Sequence, residues 1–404
     1  MRILVLAPHP YFQVRGSPID LDNLLRALSA RPDTEVDLLT YAEGEDRRYP
    51  NVSVVRIAAL PLTRNVRPGF SLKKLVCDVL MFSKAWSLIR RRRYQVLHAI
   101  EETAFMALVF RIVFGIPYVY DLDSSLAQQM VESHPALRPG AGLLDAMEGL
   151  AIRHALAAAP VCNALRDRCN ALGARKVVTL HDISQLEEPE APRSGKLARE
   201  VGTDRAIVLY SGNLEPYQGV DLLLRAFAIV ARATDTLDLV VIGGVPKHVS
   251  KYRRMVSRLG LDGRVHLLGS RPLEELAGHL ADADILAAPR IAGINTPMKV
   301  FSYLHSGRPV VATDLPTHSQ ILTRDVAVLA KAEPEAFAEA LLRLAGDPAL
   351  RERIGRAGRA FVEANHTFEA HRRRVDQLYD WVEAQLGVRS AAQRSSVDRH
   401  VGMG

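Results

Sequence analysis

The chain has 404 residues, of which 48% are hydrophobic and 24% are charged, the composition of an ordinary globular protein. This length exceeds what one hydrophobic core usually supports, so we expect two domains. The net charge of +7 predicts an anionic partner, such as a nucleotide or a phospholipid surface. Three cysteines, Cys77, Cys162 and Cys169, lack the spacing of a disulfide framework or a metal site, which favours a reducing compartment.

The apolar segments of the chain are short. The first one follows Met1 and Arg2 and has about six residues, too few for the apolar core of a signal peptide. No uncharged apolar run approaches the roughly 20 residues that a membrane-spanning helix needs. We therefore expect a cytoplasmic protein that is soluble or peripheral on the inner face of the cell membrane.

Apolar runs bounded by turn residues alternate with segments of helical periodicity along the chain. This alternation predicts parallel sheets covered by helices on both faces. In the first half, the predicted strands are residues 3–7, 36–41, 52–57, 96–100, 118–123 and 177–180. In the second half, they are residues 207–211, 239–243, 265–268, 285–288, 310–313 and 327–329.

Two segments of the chain begin in the same way. Near the N-terminus, an apolar strand leads through a loop containing Gly16 into a helix, and near the middle another strand leads through Ser211 and Gly212 into a helix. A strand, a glycine loop and a helix N-terminus form a phosphate cradle, because unpaired backbone N–H groups and the helix dipole point to one spot. The duplication predicts two nucleotide-type domains that face each other.

Composition along the chain predicts where these domains end. We expect an N-terminal domain at residues 1–185, a polar linker with two prolines at 186–203, and a C-terminal domain at 204–366. A final helix at 367–386 is expected to pack back toward the N-terminal domain. Residues 387–404 are rich in Ser, Arg and Ala and are predicted to be disordered.

Three segments carry a resemblance to a known family. Residues 211–221, Ser-Gly-Asn-Leu-Glu-Pro-Tyr-Gln-Gly-Val-Asp, resemble the donor-phosphate loop of family 4 glycosyltransferases, and residues 288–312 resemble their nucleotide-sugar segment. Residues 10–28 resemble their N-terminal glycine loop and first helix. The resemblance implies an α/β protein of the GT-B class, with two facing Rossmann-like domains built on parallel sheets. It places the donor on the C-terminal domain and the acceptor on the N-terminal one.

The chain departs from this family at positions that usually carry charge. Asn213 and Gln218 stand where the donor loop usually has an arginine and a lysine. Ile294 and Ser302 stand where the nucleotide-sugar segment usually has two glutamates. A neutral amide donates a weaker hydrogen bond to phosphate than a charged group does. The resemblance therefore implies a divergent subgroup with altered donor contacts.

Two cations near these positions are candidates to replace the missing charge. Arg290 and Lys299 flank a helix start predicted near Pro297, and Lys299 matches a basic residue of many relatives. Alternatively, both side chains face solvent. Ser302 is expected to reach a ribose hydroxyl. The predicted donor contacts are Gly16, Ser211, Gly212, Asn213, Gln218, Arg290, Asn295, Thr296, Lys299 and Ser302.

Asp121 and Asp123 end a predicted strand and share one of its faces. The family often has a histidine near the acceptor at the position of Asp123, so the resemblance implies that Asp123, or Asp121, orients the acceptor hydroxyl. Alternatively, one of them caps a helix whose first turn contains Ser124 and Ser125. A third interpretation, a divalent cation on Asp-x-Asp, is disfavoured by the duplicated strand–loop–helix layout.

Residues 71–93 predict an amphipathic helix that ends in four consecutive arginines. Such a helix suits docking on an anionic membrane surface, near a lipid-linked acceptor. An ordinary packed helix with a solvated basic end has the same pattern. Nucleic acid is not an expected partner, because no aromatic residues interleave with these charges.

Together, the residues and the resemblance predict a retaining glycosyltransferase that needs neither a cofactor nor a metal. It would move a sugar from a nucleotide-sugar donor to a hydroxyl of a glycan or lipid-linked acceptor, in cell-surface polysaccharide or glycolipid synthesis. The alternative is a catalytically degenerate protein of the same fold that binds nucleotide, glycan or a protein partner. A further alternative is an epimerase or phosphorylase of the same fold. The sequence offers no evident candidate for the cofactor lysine or the acid–base pair that such an enzyme needs.

Overall fold

A computed structural model describes residues 1–13, 16–64, 66, 71–125, 141–187 and 191–387. The chain divides into two compact units. The first contains the described residues within 1–181 and 369–387, and the second contains those within 182–368. Residues 388–404 of the predicted tail lie outside the described residues.

The described residues of the first unit form a sheet of six parallel strands. The strands are β1 (Arg2–Leu6), β2 (Glu35–Thr40), β3 (Val52–Arg56), β4 (Val96–Ile100), β5 (Tyr118–Leu122) and β6 (Ala157–Pro160). Their order in the sheet is β3-β2-β1-β4-β5-β6. The helices are α1 (Gly16–Ser29), α2 (Leu72–Arg91), α3 (Thr103–Phe114), α4 (Ala141–His154) and α5 (Asn163–Ala171).

The second unit repeats this plan within its described residues. The strands are β7 (Ala206–Ser211), β8 (Leu237–Ile242), β9 (Val265–Gly269), β10 (Ile285–Ala288), β11 (Val310–Thr313) and β12 (Val328–Ala330). They are ordered β12-β11-β10-β7-β8-β9. The helices are α6 (Lys196–Val201), α7 (Val220–Ala233), α8 (Pro246–Arg258), α9 (Leu276–Asp282), α10 (Lys299–His305), α11 (Pro316–Ser319), α12 (Pro334–Gly346) and α13 (Pro348–Asn365).

Both sheets have the Rossmann strand order, read from opposite ends. The two core strands β7 and β8 are almost wholly buried, as expected of parallel strands covered on both faces. The order reverses between β1 and β4 in one sheet and between β7 and β10 in the other. Ligands of such sheets bind beyond the carboxyl ends of the strands at this switch point. The predicted α/β class with two Rossmann-like domains is confirmed.

One predicted strand is wrong. Residues 177–180 form no strand, and Val177 makes only an isolated bridge with Ala158. The sixth strand is instead β6, whose sequence is Ala-Ala-Ala-Pro. Alanine favours helices and lacks the branched side chain typical of strands, so this strand gives almost no signal in the sequence.

The segment 186–203, predicted as a linker, contains helix α6 and belongs to the second unit. The carboxylate of Asp282 accepts hydrogen bonds from the backbone N–H groups of Ser194, Gly195 and Leu197 at 2.6, 2.8 and 3.0 Å. Leu197 is fully buried. The polar residues of this segment hold the start of a packed helix. Their composition alone resembles that of a linker, which explains the prediction.

The last described helix, α14 (Phe368–Leu386), packs in the first unit from residue 369 onward. Its Tyr379 is fully buried, and Arg31 forms ion pairs with Asp376 and Asp380 at 2.9 and 2.7 Å. Arg31 and Asp376 are 8% and 28% exposed, so this pair is better shielded from solvent than most surface ion pairs, whereas Asp380 is 69% exposed. None of the helices in the described ranges is long and apolar enough to cross a membrane.

Candidate functional site

Strand β7 ends at Ser211, at the switch point of the second sheet, and Gly212 begins the loop that follows. A Cβ atom on residue 212 would lie 2.9 Å from Nζ of Lys299. A Cβ atom almost never lies this close to another atom, so a side chain at residue 212 would displace the ammonium group from its place beside the loop backbone. The structure thus brings together Ser211, Gly212 and Lys299, three of the predicted donor contacts.

Two tyrosines that the sequence analysis missed hold this loop. The hydroxyl of Tyr303 accepts a hydrogen bond from the Ser211 N–H at 2.6 Å and donates to the Ser211 carbonyl at 2.8 Å. The hydroxyl of Tyr210 donates to the Asn213 carbonyl at 2.6 Å. Both tyrosines are fully buried. The hydrogen bonds of their hydroxyls to the backbone fix the geometry of the loop.

Lys299 is the first residue of α10, two positions after the helix start predicted near Pro297. Its Nζ atom is buried, has no hydrogen-bond partner among the described residues, and lies 3.9 Å from the centroid of the Tyr210 ring. Burial lowers the pKa of Lys299 well below its usual value, and the charge of Arg290 lowers it further. A buried cation is unfavourable unless an anion pairs with it, so this geometry favours an anionic ligand.

Arg290 folds back over its own loop. Its Nε donates to the Ala292 carbonyl at 2.8 Å, and its guanidinium lies 5.2 Å from the centroid of the Tyr217 ring. Gly293 has a φ of +99°, and a Cβ there would lie 2.4 Å from Arg290 Nη2. The sequence also allowed that both cations face solvent. For Lys299 this alternative is wrong, because its Nζ atom is buried.

The donor loop is locked to the loop after β10. A Cβ on Gly219 would lie 1.9 Å from the Pro289 carbonyl oxygen, and φ at Gly219 is +73°. The Ile291 N–H donates to the Tyr217 carbonyl at 2.9 Å, which joins the same two loops. Only glycine combines this left-handed backbone with such a close contact. The two segments that carry the family resemblance are therefore packed against each other.

His318 is a further site residue that the sequence analysis missed. It is fully buried, and its Nδ1 lies 3.1 Å from the carbonyl oxygen and 3.0 Å from the hydroxyl oxygen of Thr313. Burial lowers the pKa of His318 to about 3, and the charges of Arg290 and Lys299 act in the same direction. His318 therefore stays neutral near pH 7. Nothing in its sequence context marked it, because only the tertiary fold places it near these cations.

Four buried polar atoms of this region have no hydrogen-bond partner within the part of the chain that the structure describes, and we call them the unpaired atoms. They are Gln218 Oε1, Thr296 Oγ1, Lys299 Nζ and His318 Nε2. Buried polar groups are nearly always paired, by protein, water or ligand. Their grouping around the predicted donor loop indicates a ligand site that combines one cation with several neutral polar groups.

The remaining predicted donor contacts have other surroundings. Asn213 is exposed, and its Oδ1 accepts from the Glu215 N–H at 3.2 Å. The Asn295 carbonyl accepts from the Thr317 hydroxyl at 2.6 Å. Ser302 is buried, and its Oγ accepts from the Gln185 N–H at 2.9 Å, so its contact with a ribose stays a prediction. Gly16 lies in the first unit, at the start of α1.

In the first unit, Asp121 is held by a buried histidine. Its Oδ2 lies 2.9 Å from Nε2 of His98, whose Nδ1 lies 2.8 Å from the Tyr379 hydroxyl. His98 and Tyr379 are both fully buried. This chain of hydrogen bonds joins β4, β5 and α14, so Asp121 has a structural task whether or not it also touches an acceptor.

Asp123 follows the end of β5 and lies beside two bonded serines. The Ser124 hydroxyl donates to Glu101 at 3.1 Å, and the Ser125 hydroxyl donates to Glu148 at 3.0 Å. Neither serine is helical, so the two do not form the first turn of a helix as predicted, and residues 126–140, where that helix would continue, lie outside the described residues. No group of three or more His, Cys, Asp and Glu side chains in the described ranges is arranged to hold a metal ion.

Glu101 stands out at the same edge of the first sheet. It directly follows β4 and has a φ of +50°, a left-handed conformation that costs a residue other than glycine roughly 1–3 kcal/mol. Burial raises the pKa of its carboxyl group, against the opposing effect of the Lys74 charge.

Fold and site together define a Rossmann-type protein with a buried lysine amine beside a glycine loop, and the two units match separate family models. Residues 16–181 match the model described as "Glycosyl transferase 4-like domain", and residues 205–347 match "Glycosyl transferases group 1". The chain belongs to the family 4 glycosyltransferases, a family of enzymes.

Curated relatives match parts of the chain. A GDP-mannose-dependent alpha-(1-6)-phosphatidylinositol monomannoside mannosyltransferase of Mycolicibacterium smegmatis is 30% identical over 43% of this chain and 48% of its own length. A D-inositol 3-phosphate glycosyltransferase of Corynebacterium diphtheriae is 29% identical over 43% of this chain and 42% of its own. The chain therefore spans less than half the length of either relative. An alpha-D-kanosaminyltransferase of Streptomyces kanamyceticus is 25% identical over 66% of this chain and 71% of its own.

Solved structures share the fold over almost the whole chain. Sucrose-phosphate synthase from Thermosynechococcus elongatus superimposes with a TM-score of 0.77 at 20% identity, covering 95% of this chain and 99% of that one. Anabaena Alr3699/HepE in complex with UDP superimposes with a TM-score of 0.73 at 18% identity, covering 94% and 100%. At such identities the likeness concerns the fold alone, and it confirms the predicted GT-B class.

Proposed function

We propose that this protein transfers a sugar from a nucleotide-sugar donor to a hydroxyl group of an acceptor. The observation that carries the proposal is the buried Nζ of Lys299, which faces the Gly212 loop as one of the unpaired atoms. A diphosphate supplies the anion that this position lacks. Family membership supports the reaction class, and the solved complexes of HepE with UDP and with UDP-glucose support a nucleotide-sugar as donor.

In the proposed reaction, the bond between the sugar C1 and the donor diphosphate breaks, and the diphosphate leaves with the bonding electrons. The acceptor oxygen forms a new bond to C1, and its proton passes to the leaving diphosphate. Protonated Lys299 stabilises the charge that develops on the leaving group, and Arg290 adds to the positive field. We propose retention of the anomeric configuration and no requirement for a cofactor or metal, as the family resemblance implies.

The acceptor in this proposal is a hydroxyl of a glycan or of a lipid-linked sugar. The names of the mannosyltransferase and inositol glycosyltransferase relatives support this class of acceptor. We propose Asp123, or Asp121, as the carboxylate that orients this hydroxyl, as the family resemblance implies. Cell-surface polysaccharide or glycolipid synthesis is the process that such an activity would serve.

Helix α2 supports docking on a membrane surface. Leu72, Leu75 and Val79, spaced along one side of the helix, are 75%, 49% and 62% exposed. Lys73 is exposed beside them, and the residues from Arg90 to Arg93 extend the positive charge beyond the helix end. Exposed apolar side chains flanked by basic ones are typical of helices that lie in the headgroup region of anionic bilayers. We propose that this apolar side of α2 binds anionic lipid.

Acidic substitutions on α2 test the membrane proposal. We expect the double variant Leu72→Glu and Val79→Glu to bind vesicles containing phosphatidylglycerol about 10-fold more weakly than the wild-type protein, because it loses apolar contact and gains repulsion. Co-sedimentation measures this. Val245→Glu, at a 55% exposed position of the second unit, is the control. Equal binding by all three proteins would contradict the proposal.

A turnover assay tests the proposed reaction. UDP-glucose and GDP-mannose are each incubated with the protein and with D-inositol 3-phosphate or phosphatidylinositol vesicles as acceptor, and NMR follows the anomeric signals. A glycosylated product with the donor's anomeric configuration supports the proposal, and inversion would contradict the retaining mechanism. Nucleotide binding without turnover of either donor would favour the catalytically degenerate alternative.

The buried Lys299 predicts that nucleotide binding takes up a proton. In the free protein, burial and then the Arg290 charge lower its pKa, and neither the neutral His318 nor the Tyr210 hydroxyl, which is bonded to Asn213, supplies an opposing charge. A bound diphosphate favours the charged form and raises this pKa. Between the two pKa values binding therefore takes up a proton, and affinity falls as the pH rises.

Calorimetry in buffers of different ionisation enthalpy measures this uptake. At about pH 8 the phosphate groups are already ionised, since their second pKa is near 6, so the proton has to go to the protein. We expect uptake of up to one proton by the wild-type protein and none by Lys299→Met. Binding without proton uptake by the wild-type protein would show that Lys299 is already charged when free.

A further inference from the structure

His318 has one ring nitrogen whose role the surrounding hydrogen bonds define. The Thr313 hydroxyl donates its proton to the Arg290 carbonyl, so its oxygen can only accept from His318. The Thr313 carbonyl, 3.1 Å from Nδ1, can also only accept. Nδ1 must therefore carry the ring proton.

This assignment leaves Nε2 as an acceptor. The lowered pKa keeps the ring neutral, so the lone pair on Nε2 is free of a proton. Nε2 is buried and has no hydrogen-bond partner within residues 191–387 or the other described ranges. An acceptor in that state calls for a donor from outside the protein, either an O–H or an N–H group.

The neighbouring cations restrict what this donor can be. Arg290 and Lys299 contribute positive charge at His318, so a cationic ligand group is excluded by repulsion. The part of a nucleotide-sugar that lies near its diphosphate on either side is rich in hydroxyls, which are neutral donors. Ile294 and Ser302 supply no carboxylate to accept from such hydroxyls, and Ser302 is bonded to Gln185.

We propose that Nε2 of His318 accepts a hydrogen bond from a hydroxyl group of the nucleotide-sugar donor, either on the ribose or on the transferred sugar. This proposal rests on the proposed function, since it names a contact of the same donor. It makes His318 a residue that determines donor specificity, because a hydroxyl missing at that position leaves a buried acceptor unpaired. Lys299 binds the diphosphate, and His318 selects for the hydroxyl pattern next to it.

Two substitutions of similar size separate the two nitrogens. In His318→Asn, the side-chain amide can keep the hydrogen bond to the Thr313 carbonyl but is too short to replace Nε2. In His318→Gln, the longer amide can place an oxygen where Nε2 was. We expect Asn to weaken donor binding roughly 10-fold and Gln to restore most of the affinity. His279→Asn, which removes a buried histidine of α9, is the control for a general loss of packing.

Comparing ligands identifies which hydroxyl is bound. UDP, GDP, UDP-glucose and GDP-mannose are titrated into each variant by calorimetry. If the ribose hydroxyl is the partner, His318→Asn weakens the nucleoside diphosphate and its sugar derivative equally. If the hydroxyl is on the sugar, only the sugar nucleotide is weakened. Equal affinities of wild type and His318→Asn for all bound ligands would overturn the proposal while leaving the proposed function intact.

Nitrogen-15 NMR of the imidazole rings gives a readout that a purely structural histidine would not change. We expect His318 to be protonated on Nδ1 in the free protein and the Nε2 signal to shift when donor binds. A free protein with the proton on Nε2 would overturn the proposal without any ligand. Failure of all four ligands to bind the wild-type protein, with the expected tautomer present, would instead count against the proposed function.

Discussion

Replacing Lys299 with methionine is expected to weaken nucleoside-diphosphate binding while making the second unit more stable. A charged hydrogen bond to phosphate is worth about 1.5–3 kcal/mol, so affinity should fall roughly 10- to 100-fold. Methionine fills a similar volume without the amine, which is buried in the free protein without a partner in the described residues. Removing such a group should raise the free energy of unfolding by about 1–2 kcal/mol.

Opposite signs for affinity and stability make this prediction specific. Calorimetry with UDP and GDP measures the affinity, and thermal unfolding without ligand measures the stability. Lys247→Met, at an exposed lysine of α8, is the matched control and should change neither quantity. A destabilised Lys299→Met protein would mean that the ammonium already has a favourable partner in the folded chain, and our account of an unfilled anion site would be wrong.

Replacing Gly219 with alanine is expected to destabilise the second unit by about 2–5 kcal/mol. The left-handed backbone at this position costs alanine roughly 1–2 kcal/mol. The added Cβ would also lie 1.9 Å from the Pro289 carbonyl oxygen, which is backbone and cannot rotate away, so overpacking adds roughly 1–3 kcal/mol. For a domain of this size, the melting temperature should fall by roughly 10 °C.

A second glycine isolates the steric part of this effect. Gly260 has a φ of +66°, close to that of Gly219, but a Cβ there has no atom within 4 Å. Gly260→Ala should therefore show only the backbone cost, roughly 1–2 kcal/mol, in the same unfolding experiment. Equal losses for the two variants would show that the contact between the donor loop and the loop after β10 contributes nothing.

The sequence was most informative where the pattern is local. Continuous apolar strands and helical periodicity predicted eleven of the twelve described strands, and the resemblance predicted the fold class. The strand β6 was missed because three alanines and a proline carry no local preference for a strand. Similarly, residues 194–201 were predicted as part of a linker, because the carboxylate that anchors them, on Asp282, is distant in the sequence.

In the candidate site, too, local features were predicted and features that depend on distant residues were missed. Gly212 and Lys299 were predicted because a glycine loop and a basic residue at a family position are visible in the sequence, but the burial of the Lys299 amine is a tertiary fact. Tyr303 and His318 were missed because their roles depend on hydrogen bonds to Ser211 and Thr313, which only the folded sheet brings near them. From the sequence alone, a buried aromatic or imidazole ring with a functional role cannot be distinguished from an ordinary residue of the hydrophobic core.

Calorimetric titration of the wild-type protein with UDP and GDP, with magnesium and with a chelator, tests the central claim most directly. We expect saturable binding of at least one nucleotide, with similar affinity in both conditions. The reason is that Lys299 and Arg290, rather than a metal ion, neutralise the negative charge of the diphosphate. Binding only with magnesium would contradict the role given to these two cations. No binding of either nucleotide at millimolar concentration would contradict the nucleotide-sugar donor itself.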